Sequence, residues 1–213
     1  VLVGIRQFLS MFEMSAKNSN ELIERYEQML NGAASYYFDT DEIDEISDYY
    51  ESKGQLPKSL NAIEFGLKLH PDNEGLKLKQ ARYLLYLDRA EEAKKIMSKL
   101  ADYSPDATLV RAELLFIDSR IEEAHALMLS LLDSDDIRED ICFDAMDIYA
   151  DYDYFDELLE FVAKAETVLP DSKDLLREIA AICEERMEYE QAVVFYNKLI
   201  DKDPYSLSDW FSL

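Results

Sequence analysis

The chain has 213 residues, enough for one large domain or two small ones with a sizeable buried core. Its 46 acidic and 22 basic residues give a formal net charge of -24, which argues against nucleic acid and anionic membranes as partners, since both require a basic surface. Only 5 glycines and 5 prolines occur, so long linkers and low-complexity segments are not expected.

The chain opens on an apolar segment, VLVGIRQFLSMF, that is too short to cross a bilayer. It lacks a basic leader and a small-residue cleavage site, so a signal peptide is not predicted. Met14 is a more natural initiator methionine, and in that case Val1 to Glu13 would not belong to the native protein. Otherwise we expect the apolar segment to dock on protein. A leading helix from Asn20 to Ser35 is then predicted to cover the helix pair that follows.

Three later stretches share one helical pattern: DRAEEAKKIMSKLA, SRIEEAHALMLSLL and MEYEQAVVFYNKLI. Their common frame places Ala93, Ala124 and Ala192 over one another, with large apolar residues following at helical spacing. The prolines recur with a period of 34 residues, as Pro71 and Pro105 show. Each of them is expected to end the helix before it. Ala93 and Ala124 are only 31 residues apart, so one unit is three residues short.

A unit of two helices that closes on proline resembles the tetratricopeptide repeat family. The characteristic positions of the family are filled, among others, by Tyr50, Gly54, Ile63, Gly66, Pro71, Tyr149, Val162, Ala165, Pro170, Ala180, Ala192, Tyr196, Leu199 and Pro204. Ser59 and Leu158 depart from it at alanine positions, and the third repeat lacks its proline. The resemblance implies an all-α fold, a right-handed α-α superhelix (solenoid) of stacked antiparallel helix pairs.

The predicted domain organisation follows from this frame. Residues 1–39 form an N-terminal segment and capping helix, and residues 207–213 open a sixth repeat with Trp210 in the tryptophan position. Because the chain stops inside that helix, we expect a piece of a longer protein. The five repeats between them are predicted at about 40–73, 74–104, 105–138, 139–172 and 173–206.

The residues that could carry chemistry are few. Glu122, Glu123 and His125 lie together on one predicted helix, but nothing in the repeat frame requires a histidine, and a solvated face is the simpler interpretation. His70 precedes Pro71 in a loop, where we also expect a solvated ring. With no nucleophile motif and no glycine-rich phosphate loop, we predict that the chain is not an enzyme and binds no cofactor.

Metal and redox sites are equally unsupported. Cys142 and Cys183 lie in apolar helical stretches without zinc-binding spacing, so buried, reduced thiols are predicted. The stretch DSDDIRED at 133–140 lacks the central glycine and closing glutamate of a calcium loop, and a solvated loop between repeats is favoured. No metal is predicted, and we expect a cytoplasmic protein.

The family resemblance implies that the first helix of each pair lines a concave groove. Asp44 and Asp48 stand where a clamp for a terminal carboxylate would need cations, so that class of ligand is disfavoured. The groove is predicted to have an acidic end and an acidic-apolar middle that hold a basic protein or peptide segment with apolar anchors. The predicted groove residues are Asp41, Asp44, Asp48, Glu51, Leu78, Arg82, Leu85, Glu113, Phe116, Asp140, Phe143, Asp147, Arg177 and Glu184.

Two functions are therefore open at the level of sequence. The first is a non-catalytic scaffold or adaptor that binds a protein segment in this groove. The second is an assembly or regulatory part of a larger polypeptide or homo-oligomer that acts through the packing edges of its repeats. Self-association would then use the N-terminal apolar segment or the open C-terminal end.

Overall fold

The computed structural model of the protein describes residues 20–33, 35–101, 103–134 and 137–212. These residues form helices and turns, with no β-strand among them. They divide into two compact units, of which unit 1 extends to residue 102 and unit 2 begins at Tyr103. None of the helices in the described ranges is long and apolar enough to cross a bilayer. The N-terminal apolar segment and Met14 lie outside the described residues.

Unit 1 is a series of helices that pack on their neighbours in chain order. Residues 20–30 form α1, which ends earlier than the sequence predicted because Gly32 turns the chain with a φ of 70°. The next four helices pair as α2 with α3 and α4 with α5, and α3 also packs on α4. They are α2 (Thr40–Ser52), α3 (Leu56–Leu69), α4 (Glu74–Tyr86) and α5 (Ala90–Met97).

Unit 2 contains three further helix pairs and a short last helix. Within it α6, α8 and α10 lie side by side, and α7 contacts α9, so first and second helices form two layers. Met128, Tyr149 and Phe161 are fully buried between them. The helices are α6 (Pro105–Ile117), α7 (Ile121–Leu131), α8 (Glu139–Asp151), α9 (Phe155–Val168), α10 (Lys173–Glu185), α11 (Tyr189–Lys202) and α12 (Leu207–Ser212). The predicted all-α architecture of stacked antiparallel helix pairs is confirmed within each unit.

The turn inside each pair has the same backbone conformation. One residue has a positive φ, and the amide of the residue after it donates back across the helix end, as Arg89 N does to Leu84 O at 2.8 Å. This bond closes a Schellman turn, which satisfies the free carbonyls of the first helix. A glycine supplies the positive φ only in the first pair. The five left-handed residues are Gly54, Asp88, Ser119, Asp153 and Met187.

These turns repeat with the period found in the sequence. Successive left-handed residues are 34 residues apart, except that Asp88 and Ser119 are 31 apart. The shortened step is the one that the alanine positions predicted. Each of the five helix pairs lies inside one of the five ranges proposed as repeats.

Small residues lie where the helices of a pair approach each other. Ala93 and Ala124 are fully buried, and Ala192 is buried too. At Gly66 of α3 a Cβ atom would lie 2.6 Å from Cγ2 of Ile43 on α2. The crossing of α2 and α3 therefore leaves no room for a larger side chain at Gly66.

Candidate functional site

The predicted acidic end of the groove lies on α2, and a lysine of α4 already occupies it. Asp41, Asp44 and Asp48 are all exposed. The Lys79 ammonium lies 2.8 Å from the Asp44 carboxylate and 2.5 Å from that of Asp48. Because Lys79 is more than thirty residues from both aspartates in the chain, the spacing of residues in the sequence does not reveal this contact. One positive charge therefore compensates part of the acidic stripe of unit 1.

The other predicted groove residues of unit 1 are also hydrogen-bonded or partly buried within the unit. The Glu51 carboxylate accepts a hydrogen bond of 2.7 Å from the hydroxyl of Tyr83, which is buried. Leu78 and Arg82 are half-buried. Leu85 was predicted to line the groove, but only 7 % of its surface is exposed. That prediction is wrong for Leu85, whose side chain belongs to the core.

Phe116 on α6 was predicted as an exposed apolar anchor, and the structure places it in the core of unit 2. It is 2 % exposed, and the ring of Tyr154 stacks on it at a centroid distance of 4.7 Å. Tyr152 stacks near it as well and donates a hydrogen bond of 3.2 Å to Glu113. The helical stripe missed this burial because both tyrosines come from the turn between α8 and α9, which folds back over α6.

A dense group of carboxylates lies on α8 and α10, which pack side by side in unit 2. We call this group the acidic face. Its α8 members recur at a spacing of three and four residues, which places them on one stripe of the helix. The α10 members are seven residues apart, on one stripe as well. The acidic face comprises Asp144, Asp147 and Asp151 of α8 with Glu178 and Glu185 of α10.

Asp147 is at the electrostatic centre of the acidic face. Partial desolvation raises its pKa, and the negative charges of Glu178, Asp144, Asp151 and Glu185 raise it further, to about 6 from an ordinary value of 3.8. Each neighbouring carboxylate disfavours the ionised form of Asp147. A cation placed here would relieve this repulsion.

The remaining predicted residues of unit 2 surround the acidic face. Phe143, one helical turn before Asp147, is half-buried and leaves part of its ring accessible. Asp140 and Glu184 are exposed. Arg177 contacts Asp174 on its own helix at 2.8 Å. The face thus combines several carboxylates with one accessible aromatic ring.

His125 was predicted to lie on a solvated face, and this is wrong. Its Nδ1 atom lies 2.7 Å from the hydroxyl of Tyr149, which is fully buried. Its Nε2 atom lies 3.5 Å from the Glu160 carboxylate. Lys94 and Val193 fill the equivalent positions of other second helices, so the repeat frame contained no signal for this contact.

His70 is not a solvated loop residue either. Its Nε2 atom lies 2.9 Å from the carbonyl oxygen of Phe38, and its ring packs edge-on against Tyr37. The histidine therefore links the end of α3 to the segment before α2. Its role is structural.

The two cysteines are free and buried, as predicted. Burial first, and then nearby carboxylates, raise the pKa of both thiols to about 11, which suppresses the reactive thiolate. Among the described residues, no three His, Cys, Asp or Glu side chains are placed to share a metal ion. Asp135 and Asp136 of the acidic loop lie outside that part of the chain.

Comparison with known proteins was informative only at the level of structure. No protein-family model matches the sequence, and no curated protein matches it either. Among solved structures, the chain resembles TTC0263, described as a thermophilic TPR protein in Thermus thermophilus, with a TM-score of 0.52 at 16 % identity over 80 % of this chain and 95 % of that one. The chain has the tetratricopeptide repeat fold.

Two further solved structures are similar to the chain. A chain of the APC/C hetero-tetramer Cut9-Hcn1 matches with a TM-score of 0.51 at 12 % identity, over 81 % of this chain and 35 % of that one. MamA matches with a TM-score of 0.47 at 19 % identity, over 79 % of this chain and 97 % of that one. The likeness to TTC0263 confirms, for the fold, the predicted resemblance to tetratricopeptide repeat proteins.

Proposed function

We propose that this tetratricopeptide repeat chain is a non-catalytic scaffold that binds a basic segment of a partner protein on the acidic face. The observation that carries the proposal is the clustering of five carboxylates on the neighbouring helices α8 and α10, where desolvation and mutual repulsion raise the pKa of Asp147. Lysine or arginine side chains of a partner would pair with these carboxylates and favour their ionised forms. The partner is a protein segment with several cations, in extended or helical conformation.

Phe143 supplies the apolar part of this proposed site. It precedes Asp147 by one turn of α8, so its half-buried ring lies on the same side of the helix as the carboxylates. Buried apolar anchors usually carry most of the binding energy, while surrounding charges mainly speed association and set specificity. An apolar side chain of the partner is therefore proposed to pack on Phe143 while its cations contact the acidic face.

The acidic stripe of unit 1 has a smaller part in the proposal than the sequence suggested. Lys79 already neutralises one charge of the Asp44 and Asp48 pair, and Phe116 and Leu85 are buried and cannot serve as anchors. Asp41 remains exposed on α2. We therefore place the strongest attraction for a cationic partner on unit 2.

The test uses the peptide acetyl-Lys-Leu-Lys-Arg-Leu-Lys-amide with a fluorescent label and the full chain. We expect Asp147→Lys with Glu178→Lys to slow association by about tenfold at low salt, because steering depends on the local field. The matched control, Glu122→Lys with Glu190→Lys, changes the net charge equally at exposed sites of α7 and α11. The control should associate nearly as fast as the wild type.

Two further measurements separate the effect of charge on association from the effect of apolar packing on dissociation. Added salt should slow association of the wild type, because exposed charges are screened. Phe143→Ala should instead speed dissociation, since an anchor acts mainly on the lifetime of the complex. If both charge-reversed variants associated equally, the attraction would come from net charge and the acidic face would not be the site.

A second candidate function is self-association through the C-terminal edge of unit 2. Phe155 of α9 is covered by the guanidinium of Arg186, whose carbon lies 4.9 Å from the ring centroid. Its equivalent one repeat later, Tyr189 of α11, is 61 % exposed. Exposed apolar patches of this kind often mark interaction surfaces. The exposed apolar residues on α11 and α12 are Tyr189, Val193, Val194, Leu207, Trp210 and Phe211.

Sedimentation velocity over a wide concentration range tests this second candidate. Self-association through the edge would raise the sedimentation coefficient with concentration, and Val193→Lys with Phe211→Lys would abolish the rise. A sedimentation coefficient that does not change with concentration would remove this candidate and leave the acidic face.

A further inference from the structure

A second surface of unit 1 has the opposite character to the acidic face. It is a groove of about 320 Å³ between the end of α3, the first turns of α4 and the end of α5. Three lysines stand around it, although acidic residues outnumber basic ones by about two to one in the whole chain. We call it the lysine groove. Its lining residues are Leu67, Pro71, Glu74, Lys77, Gln80, Lys95, Ile96, Lys99 and Leu100.

The three ammonium groups of the lysine groove form no ion pair with a carboxylate of the described residues. Lys79 and Lys94 of the same unit each form an ion pair with a carboxylate. In the described part of the chain, no such pair involves Lys77, Lys95 or Lys99. The Arg89 guanidinium, which donates to the Glu92 carboxylate at 2.7 and 2.8 Å, is the main cause of the lowered pKa of Glu92, and the charge of Lys95 adds a smaller effect through space.

The floor of the groove is apolar. Leu67 and Ile96 are half-buried, and Leu100 is buried. Lys95 is exposed on the last turn of α5, and Lys99 is exposed just beyond the end of that helix. The volume has room for one large apolar side chain. A ligand that fills it would meet three lysines and one carboxylate, that of Glu74, around the floor, so the cations are in excess.

We propose that the lysine groove binds an acidic segment of a partner protein, with one aliphatic or aromatic side chain on the floor. The carboxylates of that segment would pair with Lys77, Lys95 and Lys99, where charge complementarity selects acidic over basic sequences. The apolar side chain would pack against Leu67 and Ile96. This site is separate from the acidic face, and it selects the opposite charge.

The same observations disfavour the other polyanions. A nucleic acid or an anionic membrane extends far beyond the groove and would meet the surplus of negative charge on the chain, which totals -24. A short acidic segment is governed by the charges within about one Debye length, about 8 to 10 Å at ordinary ionic strength. The apolar floor also has no role in binding phosphates.

Methyl-detected NMR of the full chain tests the proposal because it reports on weak binding at individual side chains. The probe is acetyl-Glu-Glu-Leu-Glu-Glu-amide, and the control peptide is acetyl-Gln-Gln-Leu-Gln-Gln-amide. We expect the acidic peptide to shift the methyl signals of Leu67, Ile96 and Leu100 in a saturable manner at ordinary ionic strength, where the distant negative charges of the chain are screened. The neutral peptide should bind at least about tenfold more weakly, since it keeps the anchor and loses the charges.

Substitutions on the rim provide the second readout. Lys95→Glu with Lys99→Glu should weaken binding of the acidic peptide by about tenfold or more, and both side chains are exposed, so folding should be retained. Lys95→Gln with Lys99→Gln serves in its place if the reversed variant does not fold, and should weaken binding several-fold. The matched control is Lys53→Glu with Lys58→Glu, which changes the net charge equally at exposed positions at the end of α2 and the start of α3. It should leave binding within about twofold of wild type.

Several outcomes would overturn the proposal. These are the absence of methyl shifts with the acidic peptide at ordinary ionic strength, equal binding of the neutral peptide, and equal loss of binding in the Lys53 and Lys58 control. Stronger shifts of the same methyl groups by a single-stranded RNA or by phosphatidylserine vesicles would assign the groove to a different class of partner. Shifts that grow with protein concentration alone would assign it to a second copy of the chain.

Discussion

Replacing His125 with alanine should destabilise the protein, although this residue lies on α7 beside exposed glutamates. The imidazole is 14 % exposed, and its Nδ1 atom lies 2.7 Å from the hydroxyl of Tyr149, which is fully buried. Alanine would leave that hydroxyl without its partner. An unsatisfied buried polar group costs about 1 to 3 kcal/mol, so we expect a loss of about 2 kcal/mol in the free energy of unfolding.

A double-mutant cycle separates the hydrogen bond from the packing of the ring. Tyr149→Phe removes the hydroxyl, so in that background His125→Ala leaves no buried donor unsatisfied. The cost of His125→Ala should then be about 1 kcal/mol smaller than in the wild type. Glu122→Ala, an exposed change on the same helix, is the control and should change stability little.

Urea denaturation followed by circular dichroism measures the wild type, the variants of this cycle and the control. The reasoning would be refuted if His125→Ala had a free energy of unfolding within about 0.5 kcal/mol of wild type, the range of ordinary surface substitutions. It would also be refuted if the cost were the same in both backgrounds. In either case the contact between His125 and Tyr149 would not stabilise unit 2.

Three further predictions concern packing and charge. Gly66→Ala should lower the unfolding free energy by about 1 kcal/mol, because the clash with Ile43 at 2.6 Å outweighs the gain in helix propensity; urea denaturation of the variant checks this. Ala93→Leu should cost about 1 to 3 kcal/mol by overpacking a fully buried helix crossing, whereas Ala126→Leu on the exposed side of α7 should not. Asp147→Asn should raise the melting temperature at neutral pH. The pKa of Asp147 is about 6 in the folded protein and 3.8 ordinarily, so the folded state loses stability as pH rises through about 6 and Asp147 ionises. Asparagine carries no charge and avoids this loss. The difference between Asn and wild type should vanish below about pH 4, which a series of thermal melts at different pH would show.

Much of the fold could be predicted because it is local and repeated. Buried alanines such as Ala93, helix-ending prolines and apolar residues at helical spacing together specify helix pairs. The shortened step after Ala93 also reappears in the backbone, between the left-handed residues Asp88 and Ser119. Sequence did not predict that every pair after the first would place a non-glycine residue in the left-handed conformation at its turn, because the hydrogen bonds that hold those turns form only once the helix pair has closed.

The candidate site was harder to predict because it depends on contacts between repeats. A helical stripe identifies which residues share a side of one helix, but it does not show what folds over them. Phe116 is covered by tyrosines from a turn some forty residues later, as the hydrogen bond from Tyr152 to Glu113 shows. Lys79 neutralises part of the α2 stripe from the next pair. Asp147 was among the predicted groove residues, but its place beside four other carboxylates depends on the packing of α8 against α10, which the stripe on one helix does not contain.

The most direct test of the proposed function is the pH dependence of binding of the basic peptide acetyl-Lys-Leu-Lys-Arg-Leu-Lys-amide. Desolvation and the neighbouring carboxylates raise the pKa of Asp147 to about 6, and a bound cation would lower it, so we expect binding near and below pH 6 to release a proton. Isothermal titration between about pH 5 and about pH 7 should therefore show affinity rising several-fold with pH. This rise should be absent in Asp147→Asn. An affinity that did not change with pH, or an unchanged pH profile in the Asn variant, would contradict the claim that the acidic face is the binding site.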